Sequence, residues 1–143
     1  EIASEVLTAA AEQSDMIDGN DEEFGFMAGG IEKGLDKARE LSETSASMVI
    51  YKMGSEGAIT FFDGQEIHTG IYQVEALKPT GAGDSFMSGF VTSIADGYNL
   101  RDSILRGSAS ASITVSRPGC APAMADTNTL KEFMADHPGP TNK

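Results

Sequence analysis

Lys78-Pro79-Thr80-Gly81-Ala82-Gly83-Asp84-Ser85-Phe86 puts three small residues and one carboxylate where an amphipathic helix is about to begin. Phe86, Phe90 and Ile94 fall on one helical stripe, with Met87 and Val91 beside it. The start of a helix carries unpaired backbone N–H groups and partial positive charge, so it is a ready anion site. Gly81, Ala82 and Gly83 leave those groups open to close approach. A carboxylate buried against a bound phosphate would be repelled in the ground state. Asp84 makes chemical sense there if a group beside the phosphate must lose a proton, as a hydroxyl does in phosphoryl transfer. The other local reading is a glycine-rich turn with Asp84 as helix N-cap, and the pattern alone leaves both open. A Walker loop is excluded because no Gly-Lys-Ser/Thr follows. Phe86 stands where a Rossmann fingerprint needs its third glycine.

Outward from this stretch, helical and strand signals alternate. Residues 1–13 read as the end of a helix with Ile2, Val6 and Ala10 on one side. A short strand over 15–18 runs into Gly19-Asn20, and a helical stretch follows from Asp21 to about Glu43, interrupted at Gly29-Gly30. Met48 to Lys52 is a compact apolar run of the kind a buried parallel strand needs. Residues 58–62 and 65–69 flank Asp63-Gly64, a strong hairpin signal. After the central helix, which ends near Ala95 with Gly97 as its stop, further helices are predicted over 102–116 and 127–135. Pro138-Gly139-Pro140 reads as a loose tail. The expected architecture is α/β, layered, with a mostly parallel sheet.

The chain of 143 residues is long enough for one domain with a real core. Its net charge is −12, and residues 1–45, with 12 acids and 3 bases, contribute −9 of it. Such a surface repels nucleic acid and anionic membranes. No apolar stretch approaches the roughly 20 residues that span a bilayer, and no signal peptide is evident at Glu1. The single cysteine, Cys120, forms no internal disulfide, which fits a reducing cytoplasm; it reads as a small buried residue rather than a reactive thiol. His68 and His137 fall outside every candidate site.

The run Lys78 to Val91, KPTGAGDSFMSGFV, resembles the second signature of the ribokinase-like (PfkB) carbohydrate kinases. The order of elements resembles the C-terminal part of that three-layer α/β/α fold over nearly the whole chain. The resemblance implies that residues 1–143 form the nucleotide-binding portion, without the N-terminal sugar-binding portion and lid. A part-fold of this kind would expose sheet edge and apolar surface open to pairing, as in a homodimer. The resemblance implies an ATP- and Mg²⁺-dependent kinase in which Gly81, Ala82, Gly83 and the Asp84 amide form an anion hole and the Asp84 carboxylate is the base.

Asn20 and Glu23 have the spacing of a helix capping box. Asn-x-x-Glu also resembles the family motif that orders Mg²⁺ and its waters. Lys52-Met53-Gly54-Ser55-Glu56-Gly57 reads as a tight connection needing glycine geometry, and the resemblance makes Lys52, Gly54 and Gly57 a phosphate turn. Gly107 to Ser112 gives its helix a small-sided face, suited to close packing and, by resemblance, to an adenine ring against Ala109 and Ile113. The loop Arg117 to Ala121, with Gly119, resembles one that holds a monovalent cation through carbonyl oxygens. Lys78 departs from the Asp common at that position; its ammonium could stand in for the ion, so activity is expected not to depend on K⁺. The flanks 74–79 and 116–121 look most like the 5-dehydro-2-deoxygluconokinases of inositol catabolism, with 2-keto-3-deoxygluconate kinases and fructokinases as alternatives. A non-catalytic nucleotide-binding or oligomerising module is the reading from a different class.

Overall fold

A computed structural model describes residues 2–140. The chain falls into two compact units, Glu1–His68 and Thr69–Lys143. In the first, α1 (Ile2–Ala11) leads to β1 (Met16–Asn20), α2 (Asp21–Ala28), α3 (Gly34–Thr44), β2 (Met48–Lys52), β3 (Ala58–Phe62) and β4 (Gln65–Thr69). The sheet runs in the order β1-β2-β3-β4. β1 and β2 are parallel, with Asn20 opposite Lys52, and the helices α2 and α3 lie between them in sequence, as a parallel crossover requires.

The sheet is mixed, not mostly parallel as expected. β2 and β3 pair antiparallel, Lys52 opposite Ala58, because the connection through the single turn Gly54–Glu56 is too short for a crossover. The next turn allows no other choice. Asp63 and Gly64 have φ of +50° and +69°, the left-handed pair that joins antiparallel strands in two residues. Phe24, Leu41, Val49, Tyr51, Ile59 and Phe61 form the core of this unit, and Phe24 meets Tyr51 with ring centroids 5.5 Å apart.

The helical stretch breaks at Gly29-Gly30 as expected: Gly29 takes φ +78° and the N–H of Gly30 bonds Gly25 O at 2.8 Å. The expected stripe on α1 is not the one used. Val6 is 64% exposed, whereas Ala11 is buried and Ser4 Oγ donates to Phe26 O at 3.1 Å. Glu1 and the side chain of Ile2 lie outside the described residues.

The second unit holds α4 (Ala82–Ala95), α5 (Leu100–Val115) and α6 (Thr127–Asp136). Phe86 and Phe90 of α4 are buried and stacked, but Val91 and Ile94 are 48% and 43% exposed. Buried Ser93, bonded to the Arg106 Nε at 2.8 Å, occupies the place expected of Ile94. α4 meets α5 through missing side chains. A Cβ on Gly107 would stand 2.8 Å from Phe86 O, and one on Gly89 would stand 3.0 Å from Arg106 O. Tyr72, Ala109, Ile113 and Leu130 form this unit's own core. The tail is not loose. Pro140 packs on Gly70, where an added Cβ would come within 2.8 Å of it.

Candidate functional site

The opening turn of α4 is built without a side-chain cap. Gly81 is the N-cap residue, at φ +87°, and no side chain bonds the helix start. Gly81 suits this position because the left-handed region penalises residues with a Cβ. Asp84 is therefore not the N-cap; it lies in the first turn, and its side chain is exposed rather than buried. The amide of Ala82 reaches Pro79 O at 3.3 Å and that of Ser85 reaches Gly81 O at 3.0 Å. Of the early amides, those of Gly83 and Asp84 have no partner among the described residues. The Ala82 N–H, one of the amides expected to form an anion hole, is thus partly spent on the turn.

Buried hydroxyls hold this turn to α5. Thr114 Oγ1 donates to Ser85 Oγ at 2.7 Å, and Ser85 Oγ donates to Ser110 O at 3.0 Å. Neither residue stands out in the sequence, where a lone Ser and a lone Thr carry no signal of pairing. A Cβ on Gly81 would be 3.4 Å from Thr114 Cγ2 and 3.7 Å from Cys120 Sγ, so the loop after α5 borders the turn. That loop is exposed, Cys120 with it, which corrects the expectation of a buried cysteine. Gly119 takes φ +83° within the loop.

Ala109 and Ile113 are 0% and 1% exposed. They pack with Tyr72 and Leu130 and are covered in this structure, so the small-sided face of α5 serves the close packing that its sequence suits.

In the first unit, Asn20 and Glu23 form the complete capping box. Asn20 Oδ1 accepts the Glu23 N–H and Glu23 Oε2 accepts the Asn20 N–H, both at 2.8 Å. Each side chain spends one oxygen this way, and Glu23 is exposed. Among the described residues there is no group of three or more His, Cys, Asp or Glu placed to hold a metal. Asn20 has only the one side-chain oxygen that it spends on the box, so Glu23 Oε1 is the oxygen left over, a hard donor of the kind Mg²⁺ takes beside its own waters.

Asp18, Asn20 and Lys52 share one face of the β1–β2 pair, because opposed residues and alternate residues point the same way. Lys52 Nζ donates to Asp18 Oδ2 at 2.6 Å, with the two side chains 20% and 11% exposed. Asp18 is the partner that sequence reading missed, 34 positions from Lys52. Burial pushes the Asp18 carboxyl above its ordinary range, and the Lys52 ammonium pulls it back. The other oxygen, Oδ1, is buried with no hydrogen-bond partner. Gly54 and Gly57 take φ of +54° and +94°, so both are required by the turn itself.

This is the chain of a carbohydrate kinase family. The model of the pfkB family carbohydrate kinases matches residues 1–128, and the chain belongs to that family. It is similar to the 5-dehydro-2-deoxygluconokinase of Bacillus anthracis, with 37% identity over 130 residues, covering 87% of this chain and 39% of that protein. The chain therefore spans about two fifths of the length of the curated relatives it matches. Among solved structures, the aminoimidazole riboside kinase of Salmonella enterica, complexed with aminoimidazole riboside and an ATP analogue, has a TM-score of 0.82 at 20% identity. It matches 94% of this chain and 46% of its own. The nucleoside kinase of Methanocaldococcus jannaschii, an archaeal member of the ribokinase family, has a TM-score of 0.78 at 26% identity, over 94% of this chain and 44% of its own. The fold is ribokinase-like and of the α/β class.

Proposed function

We propose that this chain carries the phosphoryl-transfer end of an ATP-dependent carbohydrate kinase. The acceptor is a hydroxyl of a sugar or sugar acid, with 5-dehydro-2-deoxygluconate as the substrate by analogy with the B. anthracis relative. The observation that carries the reading is the first turn of α4. Gly81 starts the helix with no side-chain cap, and the unspent amides of Gly83 and Asp84 share their turn with an exposed carboxylate.

The Asp84 carboxylate accepts the proton of the substrate hydroxyl as its oxygen attacks the γ-phosphorus of ATP. The new P–O bond forms as the bond to the bridging oxygen breaks and ADP leaves. The N–H groups of Gly83 and Asp84, with those of Gly81 and Ala82 at the rim, take up the charge that grows on the transferred group. Asn20 and Glu23 are the residues of the first unit that would hold the water shell of Mg²⁺, and the ion would supply positive charge against phosphate oxygens. Within the first unit, Gly54, Gly57 and Lys52, whose ammonium also holds Asp18, are the residues proposed to meet phosphate; within the second, Gly119 lies in the loop bordering Gly81. A cytoplasmic location is part of this reading.

The test is calorimetric titration with ATP·Mg²⁺ alongside phosphotransfer, in the wild type and in Asp84→Asn. Removal of the base is expected to lower turnover by about 10² or more while nucleotide affinity stays within a fewfold. Equal loss of binding and turnover would give Asp84 a structural role instead. Binding without phosphotransfer in the wild type would favour the non-catalytic nucleotide-binding module.

A further inference from the structure

Lys78 enters the phosphate loop with its charge already engaged. Its Nζ donates to Thr80 O at 2.9 Å and to Thr114 O at 3.3 Å. Thr80 immediately precedes Gly81. Thr114 lies in the last turn of α5, where its carbonyl also accepts the Arg117 N–H at 3.4 Å and the helix dipole presents its negative end. The backbone makes the same junction from the other side: the N–H groups of Leu77 and Lys78 both reach Val115 O, at 2.8 and 3.3 Å. One short segment is thus sewn to the end of α5 by two amides and one ammonium.

We propose that Lys78 is a positioning residue whose ammonium acts as a built-in monovalent cation. It ties the loop carbonyl of Thr80 to the carbonyl of Thr114 and so fixes the approach to Gly81 and the first turn of α4. An ammonium carries three donors and no acceptor, so it fills a place lined by carbonyl oxygens as a dissolved cation would. Unlike a dissolved cation, it is covalently present at every salt concentration. The place is occupied, and K⁺ has no work to do there. The functional consequence, a kinase indifferent to K⁺, rests on the function proposed above; the cross-link itself does not.

Hydrogen–deuterium exchange without nucleotide tests the cross-link separately from catalysis. The reporters are the amides of Ala82 and Ser85, which bond Pro79 O and Gly81 O. In the wild type, their protection is expected to be the same in potassium chloride and in tetramethylammonium chloride of equal ionic strength. In Lys78→Ala, both are expected to exchange about tenfold faster or more. Added methylammonium, which can donate, should restore protection, and tetramethylammonium, which cannot, should leave it lost. Unchanged exchange in Lys78→Ala would overturn the proposal, as would equal restoration by the two ions. Tightening of the wild-type loop by K⁺ would also overturn it, and that arm needs no variant to fold. Absence of phosphotransfer with intact protection would sink the kinase reading and leave the cross-link standing.

Discussion

At the scale of residues, the pair Asp18–Lys52 is unequal. Lys52 can be lost only by leaving a largely buried carboxylate with neither oxygen paired by the ammonium, whereas Asp18→Asn removes the charge that burial opposes. Lys52→Met is therefore expected to cost about 1–3 kcal/mol more than Asp18→Asn. Urea denaturation of the two variants checks it; equal costs would mean the pair is held by packing alone. The pair spans 34 residues, which explains why it was hidden. No local rule connects a carboxylate on one strand with a lysine on another until their register is known. Asn20 and Glu23, three apart, were legible because a capping box is a local object.

At the scale of elements, the α4–α5 contact depends on side chains that are not there. Gly107→Ala would place a carbon 2.8 Å from the backbone oxygen of Phe86, and a backbone atom in a packed helix cannot turn aside. A cost of about 1–3 kcal/mol is expected, read as a lower urea midpoint; a neutral outcome would mean the helices can move apart freely. α6 shows a pH dependence that follows from its cap. The bond from the Thr129 N–H to Asp126 Oδ1, 2.8 Å long, holds the Asp126 carboxyl below its ordinary value of 3.8. The folded state thus favours the ionised form, so this stabilisation is complete above 3.8 and is lost as pH falls through the lower folded value. Thermal melts from neutral pH downward should show wild type ahead of Asp126→Ala, with the gap closing in that acid range. A gap unchanged at the lowest pH would refute the cap's charge dependence.

Element boundaries were legible for the same reason these caps are. Gly29 and Gly97 act on backbone within a few residues of themselves, whereas the cap Asn99 was passed over and α5 begins at Leu100, two residues before the expected start. Which face of an element is buried was not. Val6 and Ile94 match a helical stripe as well as Phe86 does, yet they are exposed, because periodicity states that a face exists and not what is available to cover it.

At the scale of the whole molecule, a chain of net charge −12 is expected to handle polyphosphate through local devices rather than through its overall field. The local groups available are amides at an uncapped helix start and two lysines, one engaged by an aspartate and the other by carbonyls. The α/β class could be read from alternating segments. The mixed sheet could not be read with equal ease, although a five-residue connection and a two-residue turn contained the answer.

The hydroxyl of Thr114 and that of Ser85 also bear on descent. They are 29 positions apart and buried, and Ser85 is the acceptor that the Thr114 hydroxyl answers to. A lineage that replaced Ser85 by alanine would leave Thr114 with a dry, unanswered hydroxyl, and the readiest repair is a second change at Thr114 itself. The two sites should therefore be inherited as one character, changing together or staying together, and a mutation at either would open a path at the other that was closed before.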